Sequence, residues 1–385
     1  MTNAEVKLRP ASAAFAGMCA SLVGIGLARF AYTPLIPALI DADWFLPGEA
    51  AYLGAANLAG YLAGALLAGR LARVLPTAAV LRIAMAAIGL SFIACAWLLP
   101  FLWFFAWRFV SGFAGGAIMA LAAPAVLART DPARRGVVGG VIFTGVGIGA
   151  IASGTLVPLL LRDSLAATWI GLGLLCLVLT GLAWTRWPLP PPLRPVPPRR
   201  KIEPAALLFM LQYGLCAVGL VPHMVFLSDF VARGLGLGIA AGAQAWVAYG
   251  IGASVGPLAA GWIADRIGFR RAMRWALPVQ MVAVALPLVS QAVPAVLASA
   301  VVAGTFTPGI VSFALGRAQD FSHGDPDRHR AIWSAATVSF AVFQAIAAYG
   351  LALLFSHTGG GYDMLFAAGV GALVLAIALD LLPRR

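Results

Sequence analysis

The 385-residue sequence predicts an all-α integral membrane protein of twelve transmembrane helices, built as two pseudo-symmetric six-helix bundles. Three observations carry that reading. Hydrophobic residues make up 62% of the chain and charged residues 10%, against roughly 45–50% and about 25% in soluble domains. Apolar runs recur at the spacing that a membrane helix of ~20 residues and a short connection require. Basic residues gather at alternate connections.

In chain order the apolar runs are 11–40, 50–69, 77–100, 101–128, 136–161, 164–187, 204–231, 243–264, 272–290, 294–318, 332–355 and 362–382. The first is too long for a signal-peptide core and has no small-residue cleavage site, so it is expected to remain as a helix. Arg70, Arg73 and Pro76 separate the second run from the third. Pro100 separates the third from the fourth, with Trp97 and Trp103 suited to the membrane interface. After the sixth run comes PLPPPLRPVPPRRKIE, residues 188–203, whose proline and basic content predicts an extended cytoplasmic linker. It divides an N-terminal bundle, 1–187, from a C-terminal bundle, 204–385. In the tenth run Gly304, Pro308 and Gly309 predict an interrupted helix, where freed backbone groups and the hydroxyls of Thr305, Thr307 and Ser312 are available to a ligand.

Charge tests the count. With the N-terminus inside, 22 of the 26 Lys and Arg residues fall on the cytoplasmic side, two (Arg162 and Arg233) fall outside, and two (Arg29 and Arg108) lie within spans. The expected topology is multi-pass with both ends cytoplasmic, and the expected location is a bacterial cytoplasmic (inner) membrane. The net charge of +12 then reflects topology, and nucleic acid is not an expected partner. Cys19, Cys95, Cys176 and Cys216 sit singly in apolar runs, so no disulfide, metal site or cofactor is expected.

An internal repeat supports the two halves. Gly60, Gly64, Leu66, Ala68, Gly69 and Ala72 recur 192 residues later as Gly252, Gly256, Leu258, Ala260, Gly261 and Ala264. Asp131, Pro132 and Arg134 recur 194 residues later as Asp325, Pro326 and Arg328. Parallel repeats of this kind are an architecture of secondary transporters, with the binding site near the midplane between the halves.

The loop after the eighth run, Gly261-Trp-Ile-Ala-Asp265-Arg266-Ile-Gly268-Phe-Arg270-Arg271, resembles the loop signature of the major facilitator superfamily. Its first-half counterpart, Gly69-Arg-Leu-Ala-Arg73, lacks the acid. Trp107-Arg108-Phe109 with Gly112, Gly115, Gly116 and Pro124 resembles the superfamily's fourth-helix motif. Gly140, Gly145, Gly147, Gly149 and Gly154 loosely resemble its fifth-helix motif. Within the superfamily, Gly24-Ile-Gly26-Leu-Ala-Arg29-Phe30-Ala-Tyr32-Thr33-Pro34 and Phe340-Ala-Val-Phe-Gln344 resemble the YbfB/YjiJ branch. The resemblance implies a transporter whose first, fourth, seventh and tenth helices line a cavity, and a gate at Gly261, Asp265, Arg266, Gly268, Arg270 and Arg271.

Arg29, Arg108, His223 and the Thr305/Thr307 pair fall one set on each of those four helices. Arg29 lies deep in its run, where a charged side chain costs ~2.5–3.5 kcal/mol. Gly26, Arg29, Tyr32 and Thr33 share one helical face, and the glycine leaves room for a ligand to approach. Arg108 lies nearer its helix end, where snorkelling is an alternative. His223 shares a face with Gln212 and is a candidate proton carrier. Gln344 extends a polar stripe with Ser334 and Thr337, for which helix–helix hydrogen bonding is the alternative use. Two pattern matches are rejected. Gly252-Ala-Ser254-Val-Gly256 fits a nucleophile elbow, but it lies in an apolar helix with no membrane-depth acid to complete a triad. Gly147-Ile-Gly149 fits a dinucleotide fingerprint without its strand.

No nucleotide-hydrolysis motif is present, so alternating access driven by gradients is expected, as symporter, antiporter or uniporter. Two buried arginines without a mid-span acid predict a small organic anion as substrate, meeting Arg29 and Arg108. The rivals are a drug or metabolite exporter, an integral-membrane enzyme and a non-transporting receptor. The lipid bilayer is the surrounding partner, and a monomer is the expected working unit.

Overall fold

The computed structural model describes residues 10–131, 135–188, 203–322, 325–359 and 361–381. The linker expected at 188–203 therefore falls almost wholly outside the described residues, as do the repeated Pro132 and Arg134.

Helix α1 (Pro10–Ser21) widens into a π-type turn, Leu22–Leu27. The chain turns through 28–32 and re-enters helix by a 3-10 turn, Thr33–Leu35, followed by α2 (Ile36–Asp41). One continuous helix over 11–40 was the expectation, and the structure corrects it. Pro34 and Pro37 have no amides to give to the preceding turn, and Gly24 and Gly26 resist helical geometry weakly.

Then follow α3 (Pro47–Val74), α4 (Thr77–Ala94), α5 (Phe101–Leu127), α6 (Arg135–Leu160) and α7 (Leu165–Ala183). Ser164 caps α7 by accepting the Ala167 amide at 3.0 Å. The third run stops at Ala94, short of Pro100, because the Trp103 indole donates to the Ala94 carbonyl at 2.7 Å and closes α4.

Helix α8 (Pro204–Val221) breaks as the first span does. A π-type turn Pro222–Phe226, the short α9 (Leu227–Asp229) and a second π-type turn Phe230–Gly234 follow it. The chain ends in α10 (Gly238–Ile267), α11 (Phe269–Val289), α12 (Val293–Asp320), α13 (Pro326–His357) and α14 (Tyr362–Leu381). Among the described residues eleven stretches are long and apolar enough to cross a membrane, and Ala11–Leu27 is a shorter apolar helix. Among the described residues there is no strand.

Helix α12 corrects the expected interruption, because it runs unbroken through Pro308. Its backbone is held from outside instead. A Cβ on Gly304 would lie 2.1 Å from the Tyr249 carbonyl oxygen, so α10 backbone presses directly on the turn that proline weakens.

That contact belongs to a matched pair. On α3 and α5, a Cβ on Gly60 would lie 2.1 Å from the Phe109 carbonyl oxygen, one on Gly64 1.9 Å from that of Phe113, and one on Gly112 1.9 Å from that of Asn57. On α10 and α12 the same contacts recur 192 residues later. Gly252 meets Val301 at 1.9 Å, Gly256 meets Thr305 at 2.1 Å, and Gly304 meets Tyr249. Only glycine admits backbones this close. The two rejected motifs also find their use here. Gly147 on α6 faces Ser254 on α10, with its added Cβ 2.2 Å from Ser254 Oγ.

One buried acid corrects a further expectation. Asp229 is fully buried within the apolar stretch Pro204–Gly234, whereas Asp380 is the last residue of its apolar stretch and pairs with Arg274 of α11. All four cysteines are buried and free.

Candidate functional site

The break in the first span leaves carbonyls without helical partners, and side chains from two other helices reach in to meet them. The Ala28 carbonyl accepts from Arg108 Nη1 at 2.9 Å and from Asn57 Nδ2 at 3.3 Å. Asn57 Nδ2 also donates to the Arg108 carbonyl at 3.3 Å, which ties α3 to α5. Arg108 is buried, and its guanidinium lies 4.3 Å from the centre of the Tyr32 ring. Buried Arg108 Nε has no hydrogen-bond partner, nor do Ser111 Oγ and the Trp169 indole nitrogen beside it.

The seventh-span break faces the first. Thr33 Oγ1 donates to the Met224 carbonyl at 2.7 Å, and Tyr32 donates its hydroxyl to the Ala50 carbonyl at 2.8 Å. Arg29 reaches across this seam. Its Nη2 donates to Gln344 Oε1 on α13, and its guanidinium lies 5.3 Å from the Tyr61 ring centre on α3. Gln344 in turn directs its amide nitrogen to Met224 Sδ at 3.4 Å. Opposite stands an aromatic wall. Tyr249 hydrogen-bonds to Thr307, stacks on Trp246 at 4.7 Å, and takes the edge of Phe30 at 6.1 Å.

Arg29, Tyr32, Thr33, Asn57, Arg108 and Met224 line a cleft of about 10 Å³, room for one water. Among the described residues neither Arg29 nor Arg108 has a carboxylate partner. Two fixed positive charges, each met by one neutral carbonyl acceptor and an aromatic ring, suit a ligand group that brings further acceptors and negative charge.

Not every sequence candidate comes to this cleft. The structure brings together Arg29, Tyr32, Thr33, Arg108 and Gln344, with Thr307 on the opposite wall. His223 turns away from it. Its Nε2 meets Ser299 Oγ at 2.7 Å, Ser299 donates to the Ala283 carbonyl at 2.6 Å, and the imidazole lies edge-on to Phe366 at 5.3 Å. Gln212 shares that face, donating to the Ala376 carbonyl at 3.0 Å. Thr305 folds back onto its own helix, donating to the Val302 carbonyl at 2.7 Å, and Thr337 does the same to Trp333 at 2.9 Å. Gly26 offers no room, since its added Cβ would lie 2.7 Å from Gly149 Cα.

The loop candidates lie at the far end of α10. The Asp265 side chain falls outside the described residues. The Arg266 guanidinium lies 3.4 Å from the Trp262 ring centre, Gly268 takes φ +80° to end the helix, and Arg270 and Arg271 are exposed. Asn57, Tyr61 and Tyr249 escaped the reading of the sequence. Asn57 carried a signal, as one of only two asparagines in the chain and the single one inside an apolar run.

A sequence profile described as "Uncharacterised MFS-type transporter YbfB" matches residues 21–381. The chain belongs to this family. It is therefore a multi-pass membrane transporter of the major facilitator superfamily. No curated protein matches the chain.

The transporter's Arg108 has a measurable structural load. Arg108→Ala leaves the Ala28 carbonyl to Asn57 alone, and hydrogen bonds from charged groups contribute about 1.5–3 kcal/mol. The purified variant should melt below the parent by that order. An unchanged melting midpoint would show that the bond contributes nothing.

Proposed function

We propose that this transporter moves a small organic anion across a bacterial inner membrane by alternating access, with Arg29 as the residue that receives its carboxylate. The supporting observation is the Arg29 guanidinium at the seam of the two broken spans, facing Gln344 and Tyr61 with no described acid as partner. A bound anion would offset the cost of holding that charge at membrane depth. Gln344, Thr33 and the Tyr249–Thr307 pair supply the remaining polar contacts, and Arg108 holds the broken helix in register beneath them. The 10 Å³ cleft corresponds to a closed state, so the site must widen to admit substrate.

The chain crosses the membrane twelve times in this reading, with the two breaks lying in the first and seventh spans of two six-helix halves, 1–187 and 204–385. The 192-residue recurrence of the glycine contacts supports that division. The distribution of basic residues supports cytoplasmic ends and a cytoplasmic linker, and in this reading Asp265, Arg266, Arg270 and Arg271 form the inner gate. In this topology a membrane-impermeant thiol reagent applied to intact cells reaches cysteines placed at Asp43 and Thr358 and misses one at Pro197. Labelling at position 197 would overturn the orientation.

The anion reading is tested by flux of carboxylates into proteoliposomes. Uptake of a carboxylate that fails to accumulate in empty vesicles supports it. Transport confined to cationic or neutral drug-like compounds favours the exporter reading instead.

A further inference from the structure

The seventh-span break holds a second set of charges outside the Arg29 cleft. Asp229 has a fully buried side chain, while Arg233 is 30% exposed and Asp41 51% exposed. Arg233 is divided between the two acids. Its Nε lies 3.3 Å from Asp41 Oδ1 on α2, and its Nη1 lies 3.6 Å from Asp229 Oδ1. Tyr362 of α14 donates its hydroxyl to Asp229 Oδ2 at 2.6 Å. Asp229 Oδ1 has no hydrogen-bond donor.

The ionisable groups facing Asp229 are few. Its own stretch contributes Arg233, α2 contributes Asp41, the turn before Thr33 contributes Tyr32, and α14 contributes Tyr362 with exposed Asp363 next to it. The first three turns of α10, which pack on it through the Ser228–Gly242 bond at 2.9 Å, contain none.

We propose that Asp229 is a proton-binding site whose loading releases Arg233 and unlatches this end of the transporter. A buried carboxylate oxygen without a donor is costly while charged, and a proton on Oδ1 removes that charge. The proton adds to the carboxylate to give a carboxylic acid, with no other bond made or broken. Arg233 then keeps only its exposed pair with Asp41, which contributes little. The seam it closes is a tight one, where a Cβ on Gly54 would lie 3.3 Å from Val225 and one on Gly48 would lie 2.6 Å from Ser356. Proton arrival from solvent needs one helical turn, from partly exposed Arg233 to Asp229. This proposal rests on the transporter reading and not on the nature of the substrate.

The test therefore uses no substrate. Buried Val225 is replaced by cysteine in a background without the four native cysteines, and its labelling by a hydrophilic maleimide is followed in proteoliposomes. Expressed relative to a cysteine placed at exposed Asp43 and labelled at the same pH, which cancels the fall in reactive thiolate on acidification, labelling should accelerate at least about tenfold from about pH 8 to about pH 5. Asp229→Asn and Arg233→Gln should label fast at both. pH-difference infrared spectra should show a carboxylic-acid band that Asp229→Asn removes. Either variant labelling slowly at both pH values, or Asp229→Asn keeping the parent's pH ratio or its infrared band, would overturn the proposal, provided that gel filtration shows folded protein.

Discussion

Arg29→Lys should abolish carboxylate flux as thoroughly as Arg29→Ala does. Both variants should still fold. The guanidinium presents a planar fork that can hold Gln344 Oε1 and a carboxylate at once, whereas an ammonium is a point donor on a flexible stem. Truncating one partner of a buried charged contact costs about 2–5 kcal/mol, and each 1.4 kcal/mol is tenfold, so flux should fall by about 30- to 3,000-fold. Folding of Arg29→Ala should survive because removing a charge from membrane depth removes an insertion cost of about 2.5–3.5 kcal/mol, and that of Arg29→Lys because the buried charge is unchanged. Gln344→Ala should weaken transport less, since it leaves the cation in place. Wild-type flux by folded Arg29→Ala would eliminate Arg29 as the anion site.

The second large effect is on stability. Gly112→Ala should unfold the transporter or lower its melting midpoint more than any cleft substitution. The added methyl would stand 1.9 Å from the Asn57 carbonyl oxygen, which is backbone in the middle of α3 and has nowhere to go. Overpacking of this kind costs about 1–3 kcal/mol, occasionally more. Here the displaced turn also carries the Asn57 amide that supports Ala28. Gly252→Ala, at 1.9 Å from the Val301 carbonyl oxygen, should behave alike. Gly69 and Gly261 are the controls, because nothing lies within 4 Å of an added Cβ at either. Their alanine variants should stay within about 0.5 kcal/mol of the parent. Yield and midpoint by gel filtration after heating check all four. Parent-like stability of Gly112→Ala would mean that the helices separate more readily than their contacts imply.

The helical architecture and its repeat were legible because both write themselves into composition. Lipid demands apolar runs of fixed length, and close helix crossings demand glycine at Gly60, Gly64, Gly252 and Gly256. The breaks were less legible. Proline 34 and proline 37 stood in the first run as plainly as Pro308 stood in the tenth, yet only the former interrupt their helix. The difference lies in tertiary partners. Arg108 and Asn57 accept the cost of the opened turn at Ala28, whereas α10 backbone clamps α12 at Gly304. No reading of local sequence contains those partners.

The site divides along the same line. Arg29 and Gln344 stand out as polar residues in apolar runs, and the structure joins them. His223 stood out equally, and its direction was set by Ser299 and Phe366, which sequence does not place beside it. Asp229 lies two residues before the end of the seventh apolar run, 204–231. The π-type turns carry its span on to Gly234 and bury it. Side-chain chemistry is legible in sequence, but the direction in which a helix presents it depends on how the helix bends.

Whether the cleft selects anions is tested most directly by the melting midpoint of the purified transporter against small carboxylic acids, each paired with its neutral amide. A ligand bound only by the folded state stabilises it by about 2.7 kcal/mol at a hundred times its dissociation constant. The expected result is a rise with at least one carboxylate, none with its amide, and no rise in Arg29→Ala. Equal stabilisation by the amide, or a carboxylate shift that persists without Arg29, would contradict it.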